Sequence, residues 1–93
     1  MDLHLTNKVI IVTGGAKGIG KGIAQVLAKE GAIPVIVGHS EADNLITVNE
    51  IIAAGGQAWQ VLTELSDPIA AGNAVAAITA KYQRIDGLVN NAG

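Results

Sequence analysis

Cysteine is absent from this 93-residue chain, so neither a disulfide nor a thiolate-held metal can form. Histidine is scarce: His4 and His39 are the only two, too few for an imidazole-based metal site. Phenylalanine is missing, and Trp59 and Tyr82 are the only aromatics, so any core must be aliphatic. Basic charge is not in excess. Six Lys and Arg against eight Asp and Glu give a net charge of −2, which leaves no basic patch for a nucleic-acid backbone. No apolar run reaches the roughly 18 residues needed to span a bilayer. The opening stretch Met1 to Lys8 carries an acid and no long apolar segment, unlike a secretory signal. The expected compartment is the cytoplasm, with no nucleic-acid and no membrane partner.

What is present is apolar and rich in glycine. Apolar residues make up 49%, charged residues 15%, and there are 12 glycines, as in a folded chain rather than a disordered one. The length allows one small domain. Lys8 to Thr13 is a continuous apolar run of strand length, as expected for a strand buried on both faces. Ile19, Ile23, Val26 and Leu27 then recur at helical spacing, and Gly31 stands where a helix-ending glycine belongs. Ile33 to Val37 is a second strand, with Pro34 tolerated near its start. Ser40 and Asp43 form a capping pattern ahead of a stripe of Leu45, Val48, Ile51 and Ile52, closed by Gly55-Gly56. Gln57 to Leu62 is a weaker third strand. Asp67-Pro68 opens a third helix with the face Ala71, Val75, Ile78 and Tyr82, and Asp86 to Asn90 is a short fourth strand. Strands alternating with helices imply a parallel sheet. Ligands in such sheets bind beyond the carboxyl ends of the strands.

The strongest chemical signal is Thr13-Gly14-Gly15-Ala16-Lys17-Gly18-Ile19-Gly20, between a strand and a helix. Glycine admits positive φ and close approach of a ligand to the backbone. A helix N-terminus offers unpaired N–H groups and a partial positive charge. Together they suit a phosphate or pyrophosphate. One reading is a phosphate loop of the G-x-x-x-x-G-K-[ST] type, which Gly15 to Lys21 satisfy up to Gly22, where the metal-binding hydroxyl is missing. The other is a dinucleotide loop of the spacing T-G-x-x-x-G-x-G.

That second spacing resembles the short-chain dehydrogenase/reductase family, and two further motifs follow in order. Glu64-Leu65-Ser66 falls where the family has an acid, an aliphatic residue and a hydroxyl residue. Asn90-Asn91-Ala92-Gly93 matches the family's N-N-A-G motif. The resemblance covers the whole chain. It implies an α/β fold, the N-terminal half of a Rossmann-type doubly wound parallel sheet. The element order would be β-α-β-α-β-α-β and the strand order 3-2-1-4, as a single partial NAD(P)-binding domain over residues 1–93, truncated after the fourth strand.

The resemblance also assigns roles. Gly14, Gly18, Ile19 and Gly20 would line the pyrophosphate and adjoining ribose, with Lys17 near the adenosine phosphate. An acid about 20 residues past the loop would select NAD by holding the ribose 2′-OH. Gly38, His39 and Ser40 stand there instead, so His39, Ser40 and Lys17 lean the reading toward NADP over NAD. Glu64 and the Leu65 backbone would meet adenine, and Asn90, Asn91, Ala92 and Gly93 would brace the sheet and touch the adenosine ribose. Trp59 and Tyr82 read as packing residues, and Lys81, Arg84 and Asp86 as solvated ones.

The family's catalytic Y-x-x-x-K is not among these residues: Tyr82 is followed four positions later by Asp86, and Ser40 and Ser66 are assigned elsewhere. The expectation is an oxidoreductase fragment that binds the adenosine half of the cofactor and is inactive alone. Its full-length form would act on an alcohol or carbonyl, within a subgroup acting on sugars such as L-fucose, as a homo-oligomer. A non-catalytic nucleotide-binding half-domain is the alternative.

Overall fold

The computed structural model of the chain describes residues 4–91. The elements are β1 (Val9–Thr13), α1 (Gly18–Lys29), β2 (Ile33–Gly38), α2 (Glu41–Ala53), β3 (Trp59–Leu62), α3 (Pro68–Tyr82) and β4 (Gly87–Asn90). The four strands form one parallel sheet in the order β3-β2-β1-β4. The alternation read from the sequence is therefore the alternation observed, with the third strand starting at Trp59 rather than Gln57 and the fourth at Gly87 rather than Asp86.

Local chemistry sets the boundaries. Gly31 and Gly55 close α1 and α2 with the same pair of bonds: Gly31 N–H donates to Ala28 and Ala32 N–H to Leu27, while Gly55 N–H donates to Ile52 and Gly56 N–H to Ile51. This is the Schellman arrangement, which satisfies the last carbonyls of a helix. Asp67 caps α3, its carboxylate accepting from the Ile69 and Ala70 amides at 2.9 and 3.4 Å. Pro34 sits inside a central strand without loss. Ile33 N–H points to β1, bonding Lys8 at 2.8 Å, so the nitrogen of Pro34 faces β3, where pairing begins only at Val35.

Each face of the sheet carries its own core. Val12, Ala24, Ile36, Val48 and Ile51 are buried under α1 and α2. Val9, Ile11, Ile33, Val35, Val37 and Ile78 are buried on the α3 face, where Trp59 and Tyr82 pack edge to face at 6.0 Å. The ammonium of Lys81 lies 5.0 Å from the Trp59 ring centre, so this side chain is a packing residue as well as a solvated one.

The helical faces differ from the hydrophobic stripes expected. In α1 the buried positions are Gly20 and Ala24, while Ile19 and Val26 are 77% and 60% exposed. In α2 the buried set is Asn44, Thr47, Val48 and Ile51, and Leu45 and Ile52 face outward. In α3 Ala74 and Ile78 are buried and Val75 is exposed. The reason is steric and polar at once. Close approach of α1 to the sheet favours residues with little or no side chain, and Asn44 and Thr47 are buried because they make specific hydrogen bonds.

Candidate functional site

The carboxyl ends of β1, β2 and β4 meet at one rim, with Thr13 in register with both Val37 and Asn90. The glycine loop lies across this rim. Gly14 N–H bonds Val37 O at 3.1 Å, which extends the β1–β2 pairing into the loop. Gly18 has φ +58°, a conformation that side chains rarely adopt. At Gly20 the demand is contact: a Cβ there would stand 2.3 Å from Gly14 O and 2.7 Å from Asn91 Nδ2. Lys17 is the N-cap of α1, yet no side chain caps the helix and its first turn holds no acid. The first intrahelical bond runs from Lys21 N–H to Lys17 O. The amides ahead of it point out of the helix toward the rim, a donor set suited to a phosphate oxygen.

The fourth strand is bolted to this loop by side chains. Thr13 Oγ1 donates toward Val89 O (3.3 Å) and Asn90 Oδ1 (3.2 Å), and accepts from Asn91 N–H at 3.0 Å. Asn91 Nδ2 reaches Gly14 O at 3.4 Å. Asn91 thus stands beside Gly14 and Gly20, and Asn90 beside Thr13; Ala92 and Gly93 lie outside the described residues.

At the end of β2, His39 is exposed and Ser40 caps α2, its Oγ accepting from Asp43 N–H at 3.4 Å. No acid occupies 38–40, but an acid stands close by. Asp43 Oδ2 lies 3.1 Å from Lys17 Nζ. The hydrogen bond from Lys17, then that from Ser40, holds the Asp43 carboxyl below its ordinary value. Lys17 is therefore tied sideways to α2. Past β3, the exposed Glu64 bonds its own turn, accepting from Ser66 N–H and Oγ at 3.3 and 3.1 Å, while Leu65 packs onto the α3-face core.

Lys21 departs from the phosphate-loop reading. Its ammonium sits 2.8 Å from Glu50 Oε2, on the flank of α1 that faces α2. The lysine that such a loop would aim at phosphate is engaged elsewhere. A concavity of about 490 Å³ lies between the C-terminal ends of α1 and α2, lined by Gln25, Lys29, Glu50 and Gly56 among others. It is at the opposite end of these helices from the rim.

The profile of the family described as short chain dehydrogenase matches residues 8–93. The chain belongs to that family. It is 39% identical over 94 residues to an L-rhamnose 1-dehydrogenase (NAD(P)(+)) of Azotobacter vinelandii, covering 96% of this chain and 36% of that enzyme. A short-chain dehydrogenase/reductase homolog of Bacillus subtilis, YusS, is 37% identical over 91 residues, covering 97% of this chain and 84% of that one. Among solved structures, a metagenomic short-chain oxidoreductase in complex with NADP superposes with a TM-score of 0.92 at 37% identity, over 96% of this chain and 40% of its own. The chain thus spans about 36% of the length of its rhamnose-dehydrogenase relative. The parallel sheet and its order are those of the N-terminal half of a Rossmann-type short-chain dehydrogenase fold.

Several residues that build this rim escaped the sequence reading. Thr13 was visible as a motif letter but not as the bolt between β1 and β4. Thr47 Oγ1, fully buried, donates to Ala16 O at 3.0 Å and ties α2 to the glycine loop. Asn44, also fully buried, donates through Nδ2 to Gly38 O (3.1 Å) and Gln60 Oε1 (3.2 Å), which holds the end of β2 in place. Polar residues three apart on an amphipathic helix were the available signal. Among the described residues no cluster of His, Asp and Glu could hold a metal, and no helix is long and apolar enough to cross a membrane.

Proposed function

We propose that this chain binds the adenosine and pyrophosphate half of NAD(P) for an oxidoreductase acting on an alcohol or carbonyl substrate. The observation that carries the reading is the uncapped N-terminus of α1, facing the rim where β1, β2 and β4 end, in a chain of this family. Gly14, Gly18, Ile19 and Gly20 would receive the pyrophosphate on backbone amides. Asn90 and Asn91, with Ala92 and Gly93 after them, would border the adenosine ribose. Glu64 and the Leu65 backbone would border adenine. Lys17, His39 and Ser40 favour NADP, since each can donate to a 2′-phosphate and no carboxylate stands at 38–40.

The cofactor, when bound, supplies the acceptor or donor of hydride. The residues of this chain hold and orient it. None of the 93 contributes the tyrosine–lysine pair of the family's proton relay, so they form a partial domain without turnover of its own. A sugar substrate of the L-fucose type is the finer reading, supported by the rhamnose-dehydrogenase relative. A cytoplasmic, homo-oligomeric full-length enzyme completes the proposal.

Calorimetric titration of the chain tests it. NADP⁺ and NAD⁺ should bind without Mg²⁺, and Gly20→Val should weaken both at least about tenfold by displacing the loop. Preferential binding of ATP with Mg²⁺, or measurable hydride transfer by the 93-residue chain, would overturn the corresponding part.

A further inference from the structure

The seam between α1 and α2 is polar and periodic. Asp43, Thr47 and Glu50 occupy one face of α2 at spacings of four and three. Lys17, the N-cap of α1, and Lys21 and Gln25 on the facing flank of that helix recur every four residues. The partners pair in order: Lys17 with Asp43 at 3.1 Å, Ala16 O with Thr47 at 3.0 Å, and Lys21 and Gln25 with Glu50 at 2.8 and 3.4 Å. The lower rung, at Glu50, borders the groove remote from the rim. The upper rung stands at the rim itself, joining the loop after β1 to the first turn after β2.

We propose that Asp43 is a specificity-determining residue for the cofactor: its carboxylate competes with a 2′-phosphate for the Lys17 ammonium and so holds back NADP relative to NAD. The proposal rests on the dinucleotide reading above, which brings the adenosine ribose to the end of β2. Two anions cannot both take the same ammonium at ion-pair distance without repelling each other. A ligand with a free 2′-hydroxyl leaves the Lys17–Asp43 pair intact. A ligand with a 2′-phosphate must either draw Lys17 away from Asp43 or sit beside an unpaired carboxylate. The pair is largely solvent-facing, with Lys17 77% and Asp43 31% exposed, so it can open. The Lys17 ammonium beside Asp43 holds its carboxyl below the ordinary value, so the charge is present throughout the neutral range. His39 and Ser40 still favour the phosphate, so the site admits both cofactors, and Asp43 sets the ratio.

Adenosine 2′,5′-bisphosphate and 5′-ADP, titrated separately into the chain, isolate this effect from nicotinamide contacts. Asp43→Asn should tighten the bisphosphate about tenfold and leave 5′-ADP within about twofold. Glu50→Gln removes a carboxylate from the same seam, away from the rim, and should change neither. In a Lys17→Met background the gain from Asp43→Asn should shrink to about threefold or less, because the contested ammonium is gone. Equal tightening of both probes by Asp43→Asn, or the same gain from Glu50→Gln, would overturn the role of Asp43 while leaving the dinucleotide reading intact. Failure of folded wild-type chain to bind either probe would overturn the dinucleotide reading, and this inference with it.

Discussion

β2 and β4 belong to one sheet and are held in it by different physics. Five of the six residues of β2 are buried, and Val35 and Ile36 are fully so. β4 has no buried residue, and Leu88 is 63% exposed. β2 is fixed by apolar burial on both faces. β4 pairs with β1 along its length and packs Val89 on one core, and polar side-chain contacts fix its two ends. At its start Asp86 accepts from Val9 N–H at 2.8 Å and from Arg84 at 2.7 and 2.8 Å; at its finish stands the Thr13–Asn90–Asn91 cluster. The finishing cluster is also part of the candidate site. One set of side chains therefore sets the strand register and shapes the rim.

The contrast can be broken from either side. Ile36→Ala should cost the most, about 2–5 kcal/mol in denaturant unfolding, because it empties a fully enclosed position. Leu88→Ala in β4 should stay within about 0.5 kcal/mol; parity between the two would erase the distinction. Thr13→Val comes next. It keeps the shape and removes the hydroxyl, which should cost about 1–2 kcal/mol. Its particular mark would be faster amide exchange confined to β4, and uniform acceleration across the sheet would contradict the polar bolt.

The smallest effect is a pH dependence. The Arg84 guanidinium, then the Val9 amide, lowers the Asp86 carboxyl from 3.8 to about 2. A carboxyl that is more acidic in the fold stabilises it at and above about pH 4, and that contribution fades as pH falls toward 2. Asp86→Asn should lower stability at neutral pH and flatten the decline between pH 4 and 2. An unchanged acid limb would remove Asp86 from the account.

Much of this was legible in the sequence for identifiable reasons. Element order followed from glycine and proline punctuation: Gly31, Gly55, Asp67-Pro68 and the loop from Gly14 to Gly20 each act within a few residues of themselves. The rim glycines and the Asn90-Asn91 pair carried the family pattern. The buried helix faces were less legible, because hydrophobic periodicity points to Ile19, Leu45 and Val75 when small or hydrogen-bonded residues take the inner positions. Asp86 reads as a solvated acid and is exposed, yet it also accepts from the Val9 amide just ahead of β4, a contact 77 positions away in sequence. The Lys17–Asp43 pair and the Thr47 anchor join residues 26 and 31 positions apart, across two elements, and no local pattern announces such meetings.

The proposed nucleotide site is the rim, not the groove between the C-terminal ends of α1 and α2. Backbone amide chemical shifts of the isotopically labelled chain, followed while 5′-ADP is added, test it most directly. The largest changes should fall on Gly14 to Gly20, Gly38 to Ser40, Glu64-Leu65 and Asn90-Asn91. Changes centred on Gln25, Lys29, Glu50 and Gly56, with the glycine loop silent, would contradict it.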